Sequence, residues 1–245
     1  LVAAHGYDLL QLAKSKGVSY LFEASVGGGI PIIRPLSQCL AANDILEIYG
    51  ILNGTTNYIL TRMIRAGLPF ETALKEAQDN GYAERDPSAD IEGHDACRKI
   101  CILAAIAFGR HVYPEQVPTE GITGVTLADV DYAGAAGKKI KLLGRAVRME
   151  DGKVCAYVAP HLVDDSHPLA GVDDVFNGIS VRGDAIGDVM FYGRGAGKLP
   201  TASAVVADII DAAKHIGSRK YLEWAPGGAD VVCSTERLRS CWYVR

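Results

Sequence analysis

IKLLGRAVRMEDGKVCAYVAPHLV, residues 140–163, decides the fold. Two apolar runs, Ile140–Met149 and Val154–Val163, flank Glu150-Asp151-Gly152. Asp-Gly between alternating apolar runs marks a hairpin, because both residues tolerate the positive φ of a tight turn. A hairpin requires antiparallel strands. Further strands are expected over Val175–Arg182, Asp188–Tyr192, Asp44–Leu52 and, in a short run ending beside Glu23, Val18–Ala24. Apolar spacing predicts helices over 3–16, closed by Gly17; Ile32–Ala42, with Pro31 in its first turn; Tyr58–Ala66, capped by Thr55 or Thr56; and Phe70–Asn80, ended at Gly81. Helices are also expected over 94–108, Thr126–Ala136 and Pro200–Ile216, with a loop over 218–240. The expected class is α+β: a mixed or antiparallel sheet with helices on one face.

The chain has 245 residues, 49% of them apolar, and a formal net charge of −4. That length allows one large domain or two small ones. Charges of both signs are mixed and no basic run occurs, which argues against binding nucleic acid. Apolar stretches such as Ile100–Phe108 reach about half a membrane span, so no membrane partner is expected. The six cysteines lie scattered in apolar stretches. They read as reduced thiols, which suggests a cytoplasmic location. The first residues sit inside a helical pattern, and Cys241–Arg245 reads as a strand with nothing after it. Both ends look cut.

Residues 81–99 carry the chemistry. Glu84, Asp86, Asp90, Glu92 and Asp95 fill a turn-rich stretch that runs into the apolar helix 94–108. Asp95 and Lys99 are four apart, so they share one helix face. Acidic residues before a helix often do no more than cap it. Capping does not explain a lysine at helical spacing on an apolar helix. An ammonium near carboxylates stays protonated and can donate to a developing alkoxide.

Three further stretches carry weaker signals. Gly193-Arg194-Gly195-Ala196-Gly197 precedes a helix and allows a close ligand approach, or simply makes a tight turn; it does not meet the G-x-G-x-x-G frame. Glu23-Ala24-Ser25-Val26-Gly27-Gly28-Gly29-Ile30-Pro31 could hold a cation on oxygen atoms, or be a turn. Asn53-Gly54-Thr55-Thr56-Asn57 could hold a carboxylate, or cap a helix.

Taken together, these segments resemble homoserine dehydrogenase. The matching runs are Phe22–Ala24 to Gly29–Ile33, Gly50–Leu60, Glu76–Gln78, Gly81–Lys99, Gly193–Gly197 and Pro200–Val206, in the family's order. The resemblance implies NADP- or NAD-dependent interconversion of L-aspartate 4-semialdehyde and L-homoserine, on the route to threonine and methionine. It makes Lys99 a proton donor assisted by Asp95. It puts Glu84, Tyr82, Asp90, Gly54 and Thr55 around a small amino-acid substrate, and the turn with Gly193, Gly195 and Gly197 against the nicotinamide. It also implies a monovalent cation, Na+ or K+, at Glu23, Val26, Gly28 and Ile30, three of them through backbone carbonyls. The implied division is a nucleotide-domain remnant over 1–22, a catalytic and dimerisation domain over 23–192, a glycine turn and returning helix over 193–217, and a run-in over 218–245 to a regulatory ACT-like domain. The flanking helices would belong to an incomplete Rossmann-type domain. Without that domain's glycine fingerprint, the isolated chain is expected to be weakly active or inactive. A non-catalytic self-associating module and a dehydrogenase for another amino-acid semialdehyde remain alternatives. A homodimer or higher homo-oligomer is expected, since apolar strands such as Ile45–Leu52 need covering.

Overall fold

The structure is a computed structural model and describes residues 1–218 and 221–239. In chain order it contains α1 (Val2–Ser15), β1 (Ile45–Ile51), α2 (Gly54–Ala66), α3 (Phe70–Asp79), α4 (Ser88–Ile91), α5 (His94–Phe108), α6 (Leu127–Ala135), β2 (Lys138–Arg148), β3 (Val154–Asp164), β4 (Phe176–Gly183), β5 (Gly187–Arg194) and α7 (Lys198–Lys214). The five strands form one antiparallel sheet in the order β3-β2-β1-β4-β5. The fold is therefore the expected α+β, and the 140–163 stretch forms the expected hairpin.

The sheet has two unlike faces because side chains alternate along each strand. On one face Ile48, Ala146, Ile179 and Val181 join Ile59, Leu60, Ile100 and Leu103 of α2 and α5 in the main core. On the other, Ile51, Leu143, Val163 and Leu169 form a smaller cluster under the segment between β3 and β4. Beside it the buried Glu47 carboxylate accepts from Arg145 Nε (2.6 Å) and Arg182 Nη1 (3.1 Å).

Two sequence expectations need correction. Val18–Ala24 is not a strand: residues 18–22 pair with no sheet, and Glu23–Ser25 is a single 3-10 turn. Phe22 is instead held edge-on to Trp224, which is buried and donates to His111 Nδ1 (3.1 Å). The helix expected over Ile32–Ala42 is shorter; it covers residues 33–39, with Pro35–Cys39 π-wound. Residues 221–239 are loop-like but tied down, with Ala225 N–H on Gly109 O and Cys233 N–H on Val154 O. Cys39, Cys97, Cys101, Cys155 and Cys233 carry free thiols. The strand expected over Cys241–Arg245 lies outside the described residues. Among those residues, no helix is long and apolar enough to cross a membrane.

One buried polar knot fixes α2 against the sheet. Asn57 Nδ2 donates to the carbonyls of Val172, Asp174 and Phe176 at 3.0–3.1 Å. Its Oδ1 accepts from Lys141 Nζ, which is fully buried and also donates to Val172 O (2.5 Å) and Asp173 (3.1 Å). Burial pushes the Lys141 ammonium below its ordinary pKa, against the pull of Asp173. Removing one partner of such a pair strands the other groups. Lys141→Met is expected to cost about 3–5 kcal/mol, read as a lower urea midpoint at an unchanged slope.

Candidate active site

The candidate site is built at the two-residue joint between β1 and α2. Leu52 O accepts from Lys99 Nζ at 3.0 Å. Asn53 Oδ1 caps α2 by accepting from Thr56 N–H at 2.9 Å. Its Nδ2 donates to Asp90 Oδ1 (2.7 Å) and to Asp95 Oδ2 (2.9 Å). Asp95 Oδ2 also accepts from Lys99 Nζ at 2.7 Å. Thr55 Oγ1 donates to Tyr82 O at 2.7 Å.

These contacts bring Lys99, Asp95, Asp90, Gly54, Thr55 and Tyr82 together, as the sequence anticipates. Lys99 lies on the exposed edge of α5, its side chain 18% exposed. Its ammonium has three protons, two of them engaged. Asp90 is half-buried, and burial pushes its carboxyl above the usual range while the Asn53 amide pulls it down. The Tyr82 ring packs at 4.9 Å on Tyr58, so its backbone, not its hydroxyl, joins the site. Glu84 is not brought into these contacts: it is exposed, its backbone carbonyl accepts from Gln78 Nε2 (3.1 Å), and its carboxylate has no partner among the described residues.

The glycine turn packs against the loop 27–30. Gly29 N–H donates to Arg194 O (3.1 Å), and a methyl on Gly28 would collide with Gly195 O. Gly28 also has φ +53°, so glycine is required there twice over. Beneath the turn, Asn177 is buried, with no partner for either amide atom among the described residues. An orphaned buried amide under a glycine turn fits a place that a ligand completes. At the neighbouring loop the Glu23 carboxylate is already engaged: it accepts from the N–H groups of Ile32 (2.7 Å), Ile33 (2.9 Å) and Arg34 (3.0 Å). Asp208 of α7 accepts from Glu23 N–H (2.9 Å) and Arg34 Nη2 (2.6 Å). Gly27 O is used by Ile30 N–H, whereas the carbonyls of Val26, Gly28 and Ile30 accept no hydrogen bond among the described residues.

Sequence reasoning misses Asn53 and Asn177. Asn53 stands in a motif singled out above, but Thr55 and Thr56 have the same capping chemistry and hide it. Asn177 has a usable signal. It alternates with Ile179 and Val181, so it points to the core face as a polar residue in an apolar series.

Fold and site together define an α+β domain carrying an ammonium–carboxylate pair at a strand–helix joint. The homoserine dehydrogenase family profile matches residues 31–210. This chain belongs to that family. A homoserine dehydrogenase of Synechocystis sp. is 52% identical over 214 residues, covering 86% of this chain and 49% of the relative. One from Pseudomonas aeruginosa is 47% identical over 252 residues, covering 100% and 58%. The crystal structure of a homoserine dehydrogenase from Thiobacillus denitrificans superposes with a TM-score of 0.92 at 43% identity, covering 97% of this chain and 57% of that one. A hyperthermophilic archaeal homoserine dehydrogenase in complex with NADPH superposes at 0.77 and 32% identity, covering 91% and 63%. The chain thus spans about half the length of the curated relatives it matches.

The Asn53 amide is what allows two carboxylates to converge. Asn53→Asp keeps an acceptor for the α2 cap but sets a third carboxylate against Asp90 and Asp95, raising carboxyl pKa values in the folded state. A folded pKa above the unfolded one means the native state holds a proton that the unfolded chain has released. Stability is therefore lost as pH rises from about 4, the unfolded carboxylate value, through the raised native value. The variant is expected to lose about 1–3 kcal/mol at pH 7 and less at pH 4, read from urea midpoints of variant and parent at both pH values.

Proposed function

We propose that the full-length polypeptide carrying this chain reduces L-aspartate 4-semialdehyde to L-homoserine, reversibly, with NADPH or NADH. The observation that carries the proposal is the Lys99 ammonium, held by Leu52 O and Asp95 with one proton unengaged among the described residues. That proton is free for the aldehyde oxygen. The dinucleotide supplies the hydride to the carbonyl carbon. As the C=O double bond becomes a C–O single bond, Lys99 polarises the oxygen and then protonates the alkoxide; Asp95 keeps the amine charged and aimed. In the reverse direction Lys99, as the amine, takes the hydroxyl proton.

The rest of the site suits a zwitterion. Asp90, with Glu84 at the rim, is chemistry for an ammonium group; Gly54 and Thr55, opening α2, are chemistry for a carboxylate. Tyr82 supports Thr55 through its carbonyl. Gly193, Gly195 and Gly197 are assigned to the nicotinamide side. A monovalent cation, Na+ or K+, would be held by the carbonyls of Val26, Gly28 and Ile30, with Glu23 fixing the loop through its hydrogen bonds to 32–34 rather than by a free carboxylate. In this reading α1 and α7 belong to a nucleotide-binding unit. The apolar side chains that α7 leaves exposed, among them Leu199, Val206 and Ile209, support that division. The product serves threonine and methionine biosynthesis. The sheet face bearing Glu47 and Arg145 is assigned to a second copy of the chain.

Lys99→Ala in the full-length protein is expected to lower kcat for homoserine oxidation by about 10²–10⁴, with the fold intact by circular dichroism. A fall under about threefold would be too small for a positioned acid and would remove Lys99 from the reaction.

A further inference from the structure

Asn177 is the second residue of β4, opposite Gly193 of β5. It is 1% exposed, and neither Nδ2 nor Oδ1 has a hydrogen-bond partner among the described residues. The amide is wedged in place: a methyl on Gly195 would collide with Nδ2, and one on Gly54 would lie 3.6 Å from Oδ1. It thus stands between the glycine turn and the first residue of α2. In that first turn the Thr56 N–H goes to Asn53 Oδ1 and the Asn57 N–H to Asn53 O. The N–H groups of Gly54 and Thr55 donate to no acceptor among the described residues. A 13-residue helix presents its positive end there.

A buried amide without partners destabilises the folded state, whereas leucine has nearly the same shape and no such cost. Something other than packing holds asparagine at this place. A carboxylate accepts only; Oδ1 is the amide atom now on the Gly54 side and Nδ2 the one against Gly195, so Nδ2 would join the two free N–H groups as a third donor only with the amide turned over. A half-turn of the amide exchanges its oxygen and nitrogen without moving the backbone, which lets Nδ2 face Gly54. Asp90 and Asp95 are both held by the side chain of Asn53, the residue before Gly54. The joint therefore sorts a zwitterion by charge, with its positive end toward the two carboxylates and its negative end toward the helix start.

On the homoserine dehydrogenase reading, on which this rests, we propose that Asn177 binds the α-carboxylate of the amino-acid substrate together with Gly54 and Thr55, and that the 193–197 turn moves off the amide to admit it. The turn covers the amide in the structure, so binding would exchange an unsatisfied contact for a charge-assisted one. The carboxylate takes no part in bond making, so its contacts act on binding and not on turnover.

The test compares the full-length parent with Asn177→Leu and Asn177→Asp, by thermal unfolding with and without homoserine and by steady-state kinetics. Asn177→Leu is expected to unfold at a higher temperature than the parent without ligand, and to lose the homoserine-induced rise in midpoint. Its KM for homoserine should rise about tenfold or more, the usual cost of losing a hydrogen bond to a charged group, while kcat and the KM for dinucleotide stay within about threefold. Asn177→Asp, which sets like charge against the carboxylate, is expected to lose homoserine binding further and keeps the test decisive if the leucine variant does not fold. An Asn177→Leu protein that retains the homoserine shift and KM overturns the assignment, whatever its stability. So does a loss confined to the dinucleotide. A parent that neither shifts with homoserine nor oxidises it overturns the functional reading and this inference together; an active parent matched by its leucine variant overturns Asn177 alone.

Discussion

The Asn53 carboxamide is the contact on which the site depends. Through one face it caps α2 at Thr56, and through the other it clamps Asp90 and Asp95 at 2.7 and 2.9 Å. Two carboxylates at one donor would repel; the amide protons and the Lys99 ammonium make their approach favourable. Because β1 ends at Ile51 and α2 begins at Gly54, the joint has almost no slack. Four successive residues divide the work between them. Leu52 holds Lys99 by its carbonyl, Asn53 gathers the acids, Gly54 lies against Val175 and Asn177, and Thr55 binds Tyr82 O. The central strand of the sheet thus sets the geometry directly, as rigid elements do better than loops.

Rigidity on the far side comes from the Asn57–Lys141 knot. Asn57 takes three carbonyls of the 172–176 segment, and Lys141 brings β2 to the same point. This segment leads straight into Asn177, so the knot fixes where β4 starts and how closely Val175 approaches Gly54. A buried lysine is a poor way to gain stability. Its value is specificity: only one placement of α2, β2 and the segment satisfies all of its donors.

Much of this is legible from sequence. The Asp151-Gly152 hairpin, β1, β4, β5 and the helices α2, α3, α5, α6 and α7 follow from periods of two and 3.6, which are local properties; the four-residue α4 lies in the stretch read as turns and is not foreseen. Asp95 and Lys99 are legible because four-residue spacing on a helix is a geometric statement. The misses share a different cause. Val18–Ala24 has strand-like residues, but no sheet edge lies beside it, and Phe22 finds Trp224, some two hundred residues away, instead. Thr55 and Thr56 are as good caps as Asn53 by local chemistry; the choice is made by two aspartates about forty residues downstream. Glu23 has the look of a free hard ligand, and only the folded chain turns the N–H groups of 32–34 onto it.

The distribution of unsatisfied groups separates site from scaffold. Away from the joint, buried polar side chains are well supplied: Asn57, Lys141, Glu47 and Asp129 all have partners. Among the described residues, the buried side-chain atoms without a hydrogen bond are His111 Nε2 and the two amide atoms of Asn177. His111 still receives the Trp224 N–H on its other nitrogen; Asn177 receives nothing. At the β1–α2 joint, which Asn177 borders through Gly54, stand an aspartate held above its usual pKa by burial and, among the described residues, a lysine with a proton unengaged and a helix start with two idle N–H groups. They meet at one strand end, on residues 52–54 and their neighbours. A core selected for stability alone would have removed them. Under the proposed function, their concentration at the joint suits a small zwitterion, whose ammonium and carboxylate would supply the missing partners.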